Sequence, residues 1–301
     1  MNSESILIAG ATGLIGTRLS GLLRERGHDV AHLSRHPGEG GVRTYVWSPQ
    51  ENRIDAASMA GKTVVVNLAG ANIGGRRWTK AYKQEILDSR LQSGAVLREA
   101  IQASGSRVHT YISASGVSIY GHHDGSRAFT EEDRPAADFL AQVCVAWEEE
   151  ADKIASPAVR VVKMRTGPVL SGDGGLLEEF ARPVRWFVGA PLGTGEQYIS
   201  WIHIEDICNM YAFAIENRNL AGAFNAVAPA PVTNRELTRS IADALNRPLL
   251  LPPVPKPVLR LVLGEMAVLA VEGCRVSAEK IKAAGFSFQF DTLAKAMNDI
   301  F

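Results

Sequence analysis

Apolar residues fall into two spacings along this chain. The short runs 6–9, 30–34, 63–68, 110–113 and 160–166 are dense in Val, Ile, Leu and Ala and read as buried strands. Between them, 15–26, 79–103 and 139–154 repeat their apolar positions in helical steps; Ile15, Leu19, Leu22 and Leu23 lie on one face of the first. A weaker strand, 44–47, follows the second run. Such alternation predicts an α/β fold, a Rossmann-like doubly wound parallel sheet with helices on both faces. After Gly167 the pattern changes. Gly172, Gly174, Gly175, Gly189, Gly193 and Gly195 mark loops, and 223–228 reads as a short strand. Thr233 reads as a helix N-cap with Glu236 completing a capping box. A proline-rich stretch, 248–257, precedes a last helical region. The expected division is a sheet domain over 1–170, to which about 195–230 returns, and a smaller C-terminal substrate-side lobe over 171–301.

Composition narrows the function classes. The chain has 301 residues, 46% of them hydrophobic, with formal net charge +0 and a pI near 7.1. That balance supplies no electrostatic reason for a nucleic-acid or anionic-membrane partner. Charge or proline interrupts every apolar stretch well short of the ~18 residues of a membrane span. The polar start, 1–5, runs directly into the first strand without a signal-peptide pattern. Cys144, Cys208 and Cys274 are far apart and odd in number, so reduced thiols packed as small apolar residues are expected, with neither disulfides nor a metal site. A cytoplasmic location fits these features.

The richest chemistry is in Gly10-Ala11-Thr12-Gly13-Leu14-Ile15-Gly16, between the first strand and the first helix. Gly10 permits a tight turn, Gly13 lets the backbone approach a pyrophosphate, and Gly16 lets helix and strand pack closely. Thr12, Leu14 and Ile15 fall inside this turn, at a helix N-terminus suited to phosphate. The second strand ends in Ser34-Arg35 where a NAD site usually carries Asp or Glu. A guanidinium suits a 2′-phosphate and a carboxylate would repel it, so NADP(H) is the expected cofactor. Leu68, Ala69 and Gly70 end the third core strand, where small residues let a ligand pass close to the backbone.

These motifs, with Ile112-Ser113-Ala114-Ser115 and Tyr120-Gly121, resemble the extended short-chain dehydrogenase/reductases. The narrower resemblance is to the atypical epimerase family proteins, nucleoside-diphosphate-sugar-epimerase-like chains with a C-terminal domain of unknown function, here about 250–301. It rests on Arg77-Trp78, Ser89-Arg90, Trp147-Glu148, Arg165-Thr166-Gly167, Gly172 to Gly175, Gly189-Ala190-Pro191-Leu192-Gly193 and above all Trp201-Ile202-His203-Ile204-Glu205-Asp206. The resemblance implies that Ser34 and Arg35 hold the adenosine phosphate and that Leu68 and Ala69 line the ribose path. It also implies that Glu85 and Arg90 lie near the cofactor and that Val169 reaches its nicotinamide end.

The broader superfamily places Tyr-x-x-x-Lys on one helix, so that the ammonium lowers the phenol's pKa for proton exchange with a substrate hydroxyl. Here the matching positions fall roughly on Leu140 and Cys144. Ser113 and Ser115 end the fourth core strand; Ser113 is counted with the cofactor contacts and Ser115 as a candidate catalytic hydroxyl. Tyr120 is the candidate substitute acid, or else lines or packs the pocket. His203 reads either as a general acid or, as in related enzymes, as part of a structural turn before a helix over 206–216. His122-His123-Asp124 reads as a solvated loop, and the acidic runs 131–133 and 148–150 as solvated faces, Glu148 excepted. Trp186, Phe187, Tyr198 and Trp201 suggest either a ring-stacking pocket or packing of the lobe. Two functions follow: an epimerase-like oxidoreductase acting on a small-molecule substrate, or an NADP(H)-binding sensor or regulatory module. In many extended relatives the helices corresponding to 79–103 and 139–154 form a homodimer bundle.

Overall fold

The computed structural model describes residues 3–38, 41–103, 105 and 107–301. In chain order the elements are β1 (Ser5–Ala9), α1 (Leu14–Glu25), β2 (Asp29–Ser34), β3 (Arg43–Ser48), β4 (Arg53–Ile54), β5 (Val64–Asn67), α2 (Lys80–Ala103), β6 (Thr110–Gly116), β7 (Ala128–Phe129), α3 (Phe139–Asp152), β8 (Arg160–Thr166) and β9 (Val169–Leu170). They continue with α4 (Leu176–Arg185), β10 (Tyr198–Ile199), β11 (Ile202–His203), α5 (Ile204–Glu216), β12 (Gly222–Ala226), β13 (Val232–Thr233), α6 (Asn234–Ala244), α7 (Lys256–Leu263), α8 (Val268–Val271), β14 (Arg275–Val276), α9 (Glu279–Ala283) and α10 (Leu293–Ile300).

Eight strands form one sheet in the order β12-β8-β6-β5-β1-β2-β3-β4, parallel except for the β3–β4 pair. The order reverses between β1 and β5, which opens a crevice at the strands' C-terminal ends. Both faces of the sheet are covered. Ile6 and Ile8 of β1 enter one core and Leu7 and Ala9 the other, which is why the strand is apolar throughout rather than alternating. The weak strand near 44–47 is a full sheet member, β3. β6 runs three residues past the expected 110–113 because it pairs with β8 along its whole length, setting Ser115 opposite Arg165.

After Gly167 the chain returns to the sheet twice. β12 closes its edge beside β8, and α5 is tied to α1 where Arg18 donates two hydrogen bonds to Glu205, at 2.6 and 2.7 Å. Around these, α4, α6 and α10 share a third core that includes Leu177, Leu237, Ile241 and Met297. The capping box at Thr233 and Glu236 starts α6. The stretch 201–206 joins the sheet to the last segment. His203 caps α5, its Nδ1 accepting from the Glu205 amide at 3.3 Å, and its ring stacks on Phe290 at 3.8 Å. Asp206 accepts from the Gln289 and Phe290 amides at 2.8 and 3.0 Å. Cys144, Cys208 and Cys274 are all buried free thiols. No helix among the described residues is long and apolar enough to cross a membrane.

Candidate cofactor and substrate cleft

The glycine turn sits at the mouth of the β1–β5 crevice, and each glycine answers a different constraint. Gly10 adopts φ +80°, and a Cβ there would meet the Leu68 carbonyl carbon at 2.8 Å. A Cβ on Gly16 would lie 2.3 Å from the Gly10 carbonyl oxygen, so only glycine lets α1 pack this close to β1. Gly13 differs: its nearest neighbour on that side is the Gly10 oxygen at 3.4 Å. Gly13 is also the helix N-cap and supplies no side-chain cap, so the first-turn amides of α1 face the crevice ready for an acceptor. This open cradle fits a pyrophosphate.

On one side of the turn lies a trough of about 1160 Å³ bordered by Gly10, Thr12, Gly13, Ser34, Arg35, Leu68, Ala69, Gly70 and Glu85. Among the described residues its Arg side chains are Arg24, Arg35 and Arg76, and the one carboxylate, Glu85, pairs with Arg76 at 3.6 Å. Arg24 was not anticipated. It continues a stripe of small and polar positions along α1, namely Gly13, Thr17, Ser20 and Arg24, whose helical spacing is the signal that could have found it.

The floor of the crevice is shaped by buried polar side chains. Asn67, fully buried, donates to Tyr111 Oη at 3.0 Å and Ser93 Oγ at 3.2 Å, and its Oδ1 accepts from the Ala69 amide at 3.1 Å. The Leu68–Ala69 backbone is thereby bent toward Gly10. Ser89 Oγ accepts from the Ala71 amide at 2.9 Å. Arg90 is buried, donates to the Ile86 carbonyl at 2.8 Å and the Ala71 carbonyl at 3.3 Å, and stacks on Trp147 at 4.7 Å. Burial pulls its pKa below the usual arginine value.

On the other side of Gly10 and Leu68 the crevice continues into a chamber of about 510 Å³. Leu14, Ile15, Gly16, Arg90, Ser115 and Val169 border it, as do Leu140 and Cys144 from α3. Burial pushes the Cys144 thiol up to about 12. The far wall comes from 268–274, so the C-terminal region is part of the site.

Behind Ser115 runs a closed polar network. Ser115 Oγ donates to Glu148 Oε1 at 2.7 Å. Arg165 donates to both oxygens of Glu148, at 2.8 and 2.9 Å, to Tyr120 Oη at 2.9 Å and to the Glu131 carbonyl at 3.2 Å. Tyr120 donates to Asn225 Oδ1 at 2.7 Å. Burial opposes the charge on Arg165, but its bonds to Glu148 outweigh that and hold its pKa above the usual arginine value. Burial pushes the Tyr120 phenol up to about 12, against the pull of Arg165.

Residues 6–226 match the NAD dependent epimerase/dehydratase family. The chain belongs to that family. Residues 254–300 match a domain of unknown function, DUF1731. An epimerase family protein of Mycobacterium bovis is 38% identical over 99% of this chain and 97% of its own length. The human epimerase family protein SDR39U1, solved with NADPH, superposes with a TM-score of 0.89 at 32% identity, covering 98% of both chains. MoeE5, solved with UDP-glucose and NAD, shares the fold at 21% identity and a TM-score of 0.78, over 98% of this chain and 96% of its own.

In this family member, most of the expected cofactor residues border the crevice, and the exceptions are instructive. Ser113 does not border it: it is 1% exposed, and its Oγ donates to the Ala114 carbonyl at 2.9 Å. Strand side chains repeat every second residue, so Ser115 shares its face but stands nearer the strand end, at the mouth. Tyr120 is 3% exposed and is not among the described residues lining the chamber. In the acidic run 148–150 Glu149 is exposed as expected, Glu148 is the exception already singled out, and Glu150 departs from the solvated reading. α3 packs against both the sheet and α2, so Glu148 turns in to Arg165, and Glu150, also buried, is held by Arg98 at 3.2 Å and Lys153 at 2.6 Å. Glu131 likewise turns inward, accepting from the Asn225 amide at 2.7 Å. His122 is exposed but bonded, its Nδ1 accepting from the Gly273 amide at 3.1 Å. Of the four aromatic residues, only Tyr198 lines the chamber: Trp201 is fully buried with its indole donating to the Ala230 carbonyl, and Trp186 and Phe187 are exposed elsewhere.

Proposed function

We propose that this protein binds NADP(H) along the β1–β5 crevice and works as an oxidoreductase without the tyrosine–lysine pair of its superfamily. The observation that carries the reading is the continuity of the crevice. A cationic trough meets open helix amides at Gly13, and these meet a chamber walled by Ser115, Val169 and the C-terminal region. Arg35, with Ser34 beside it, is the partner of the 2′-phosphate, and Arg24 adds positive potential there. The first-turn amides of α1 take the pyrophosphate. When bound, the cofactor supplies hydride at the chamber end. Ser115 is the hydroxyl nearest a substrate oxygen: with its proton on Glu148, its Oγ accepts from a substrate hydroxyl; Glu148 and Arg165 are positioning residues that fix its rotamer. Tyr120 is a member of that support and not the proton donor, because its hydroxyl is committed on both sides and turned away from the chamber.

One observation favours a second reading, a cofactor-binding module without turnover. α3 contains neither Tyr nor Lys, and the chamber wall presents Leu140 and Cys144. Incubating the protein with NADPH deuterated at nicotinamide C4 and a panel of carbonyl compounds separates the two. Deuterium recovered in an alcohol or a reduced alkene supports the oxidoreductase. Tight NADPH binding with no label in any product supports the module.

A further inference from the structure

The two ends of the crevice differ in chemistry. Among the described residues the trough gathers Arg24, Arg35 and Arg76 with one carboxylate, Glu85. The chamber has the opposite balance: among its described lining residues Arg90 is the one Arg or Lys, set against Asp138 and Glu272. Arg90 is already spent on two backbone carbonyls and a tryptophan face. Asp138 caps α3 by accepting from the Leu140 and Ala141 amides. The remaining wall is dominated by apolar side chains, among them Leu140, Val143, Phe180, Ile199 and Leu269. Its polar atoms are chiefly neutral. Ser115 is one; Gln197 Oε1 and Asn234 Nδ2, on residues at most 7% exposed, have no hydrogen-bond partner in the protein.

A diphosphate recognised by protein needs cations or a row of free amides. This chamber pairs two carboxylates with one engaged guanidinium. Its volume, at the low end of small-molecule sites, must also take the nicotinamide ring. We propose that its substrate is a compact, uncharged and mainly apolar ring compound with one neutral polar group, and not a nucleoside-diphosphate sugar. This rests on the cofactor reading above. The apolar body packs between α3 and Leu269 of the C-terminal region, and its polar group accepts from the free Asn234 Nδ2 when it is a carbonyl, or donates to Ser115 Oγ when it is a hydroxyl. The chamber's net negative lining repels a diphosphate.

The test uses the whole protein. NADPH is titrated first, and failure to bind would overturn the cofactor reading rather than this one. The protein is then loaded with NADP+, so that no reduction consumes the ligand. Saturation-transfer NMR is recorded with cyclohexenone, acetophenone and menadione in one arm and UDP-glucose and UDP in the other. The expected result is saturable contact with at least one ring carbonyl and none with either nucleotide. Leu269→Arg is expected to weaken the ring compound by ~10-fold or more, an increment of one decade in affinity. Its own NADPH titration and thermal midpoint show whether it has folded; should it fail to fold, Leu269→Ser with the same expected direction takes its place. Saturable UDP-glucose binding, no contact from any ring compound, or equal affinity in the folded variant would overturn the proposal.

Discussion

Replacing Tyr120 by phenylalanine separates a catalytic phenol from a structural one. The hydroxyl donates to Asn225 Oδ1 at 2.7 Å and accepts from Arg165 Nη1 at 2.9 Å, on a side chain 3% exposed. Its loss leaves Asn225 Oδ1 buried without this donor, while Arg165 keeps Glu148 and the Glu131 carbonyl. One orphaned buried acceptor costs about 1–3 kcal/mol, and the lost bond to a charged group adds to it, so ~2–3 kcal/mol is expected. Unfolding entropy scales with length, which for a chain of this size puts 1 kcal/mol near ~2 °C, and the midpoint should fall by ~4–6 °C. Differential scanning fluorimetry with and without NADPH measures this. The NADPH affinity and any NADPH-dependent reduction should stay within about twofold of the wild type once the protein is below its melting range. An unchanged midpoint combined with abolished reduction would refute the reasoning and return Tyr120 to the role of acid.

Three further outcomes follow from the same geometry. Gly16→Ala puts a methyl 2.3 Å from the Gly10 oxygen, so α1 must shift; NADPH binding measured by fluorescence titration should be lost or severely weakened. Asp206→Ala removes the acceptor shared by the Gln289 and Phe290 amides, a loss of about 1–3 kcal/mol, and hydrogen exchange should quicken through 288–300 before the sheet responds. His203 is held below its ordinary pKa by burial, against the pull of Asp299 and Glu205. Its neutral form is therefore the stabilising one. That contribution is full above the unfolded histidine value of about 6.5 and is lost as pH falls through the lower folded value. Chemical denaturation of the wild type should weaken more between about pH 7.5 and 5.5 than that of His203→Asn, which keeps a capping oxygen; equal slopes would contradict the assignment.

What could be read in the sequence was whatever depends on local pattern. β1, α1 and β2 show in the apolar spacing, and the glycine turn shows its own constraints because each glycine answers to atoms a few residues away. The capping box at Thr233 is legible for the same reason. What escaped depends on partners distant in the chain. β6 continues through Ser115 because β8 pairs with it, whereas the apolar run alone extends no further than Ser113. Glu150 looks solvated, and the partner of Glu148 is unknown, until α3 is seen packed against both the sheet and α2, with Arg98 and Arg165 supplied from 52 and 17 residues away. Tyr120 invites a catalytic role until Asn225, 105 residues on, takes its proton. The C-terminal wall of the chamber is visible only once His122 ties Gly273, and Asp206 ties residues 289–290, to the sheet domain.

The central claim is that the crevice holds NADP(H) and that Arg35 selects it through the 2′-phosphate. Isothermal titration of NADPH and NADH into the wild type and Arg35→Ala tests it most directly. A charge-assisted bond of about 1.5–3 kcal/mol predicts NADPH binding roughly 10- to 150-fold more tightly than NADH, with most of that ratio gone in the variant while NADH affinity is kept. Equal affinities in the wild type, or a ratio untouched by Arg35→Ala, would contradict the account.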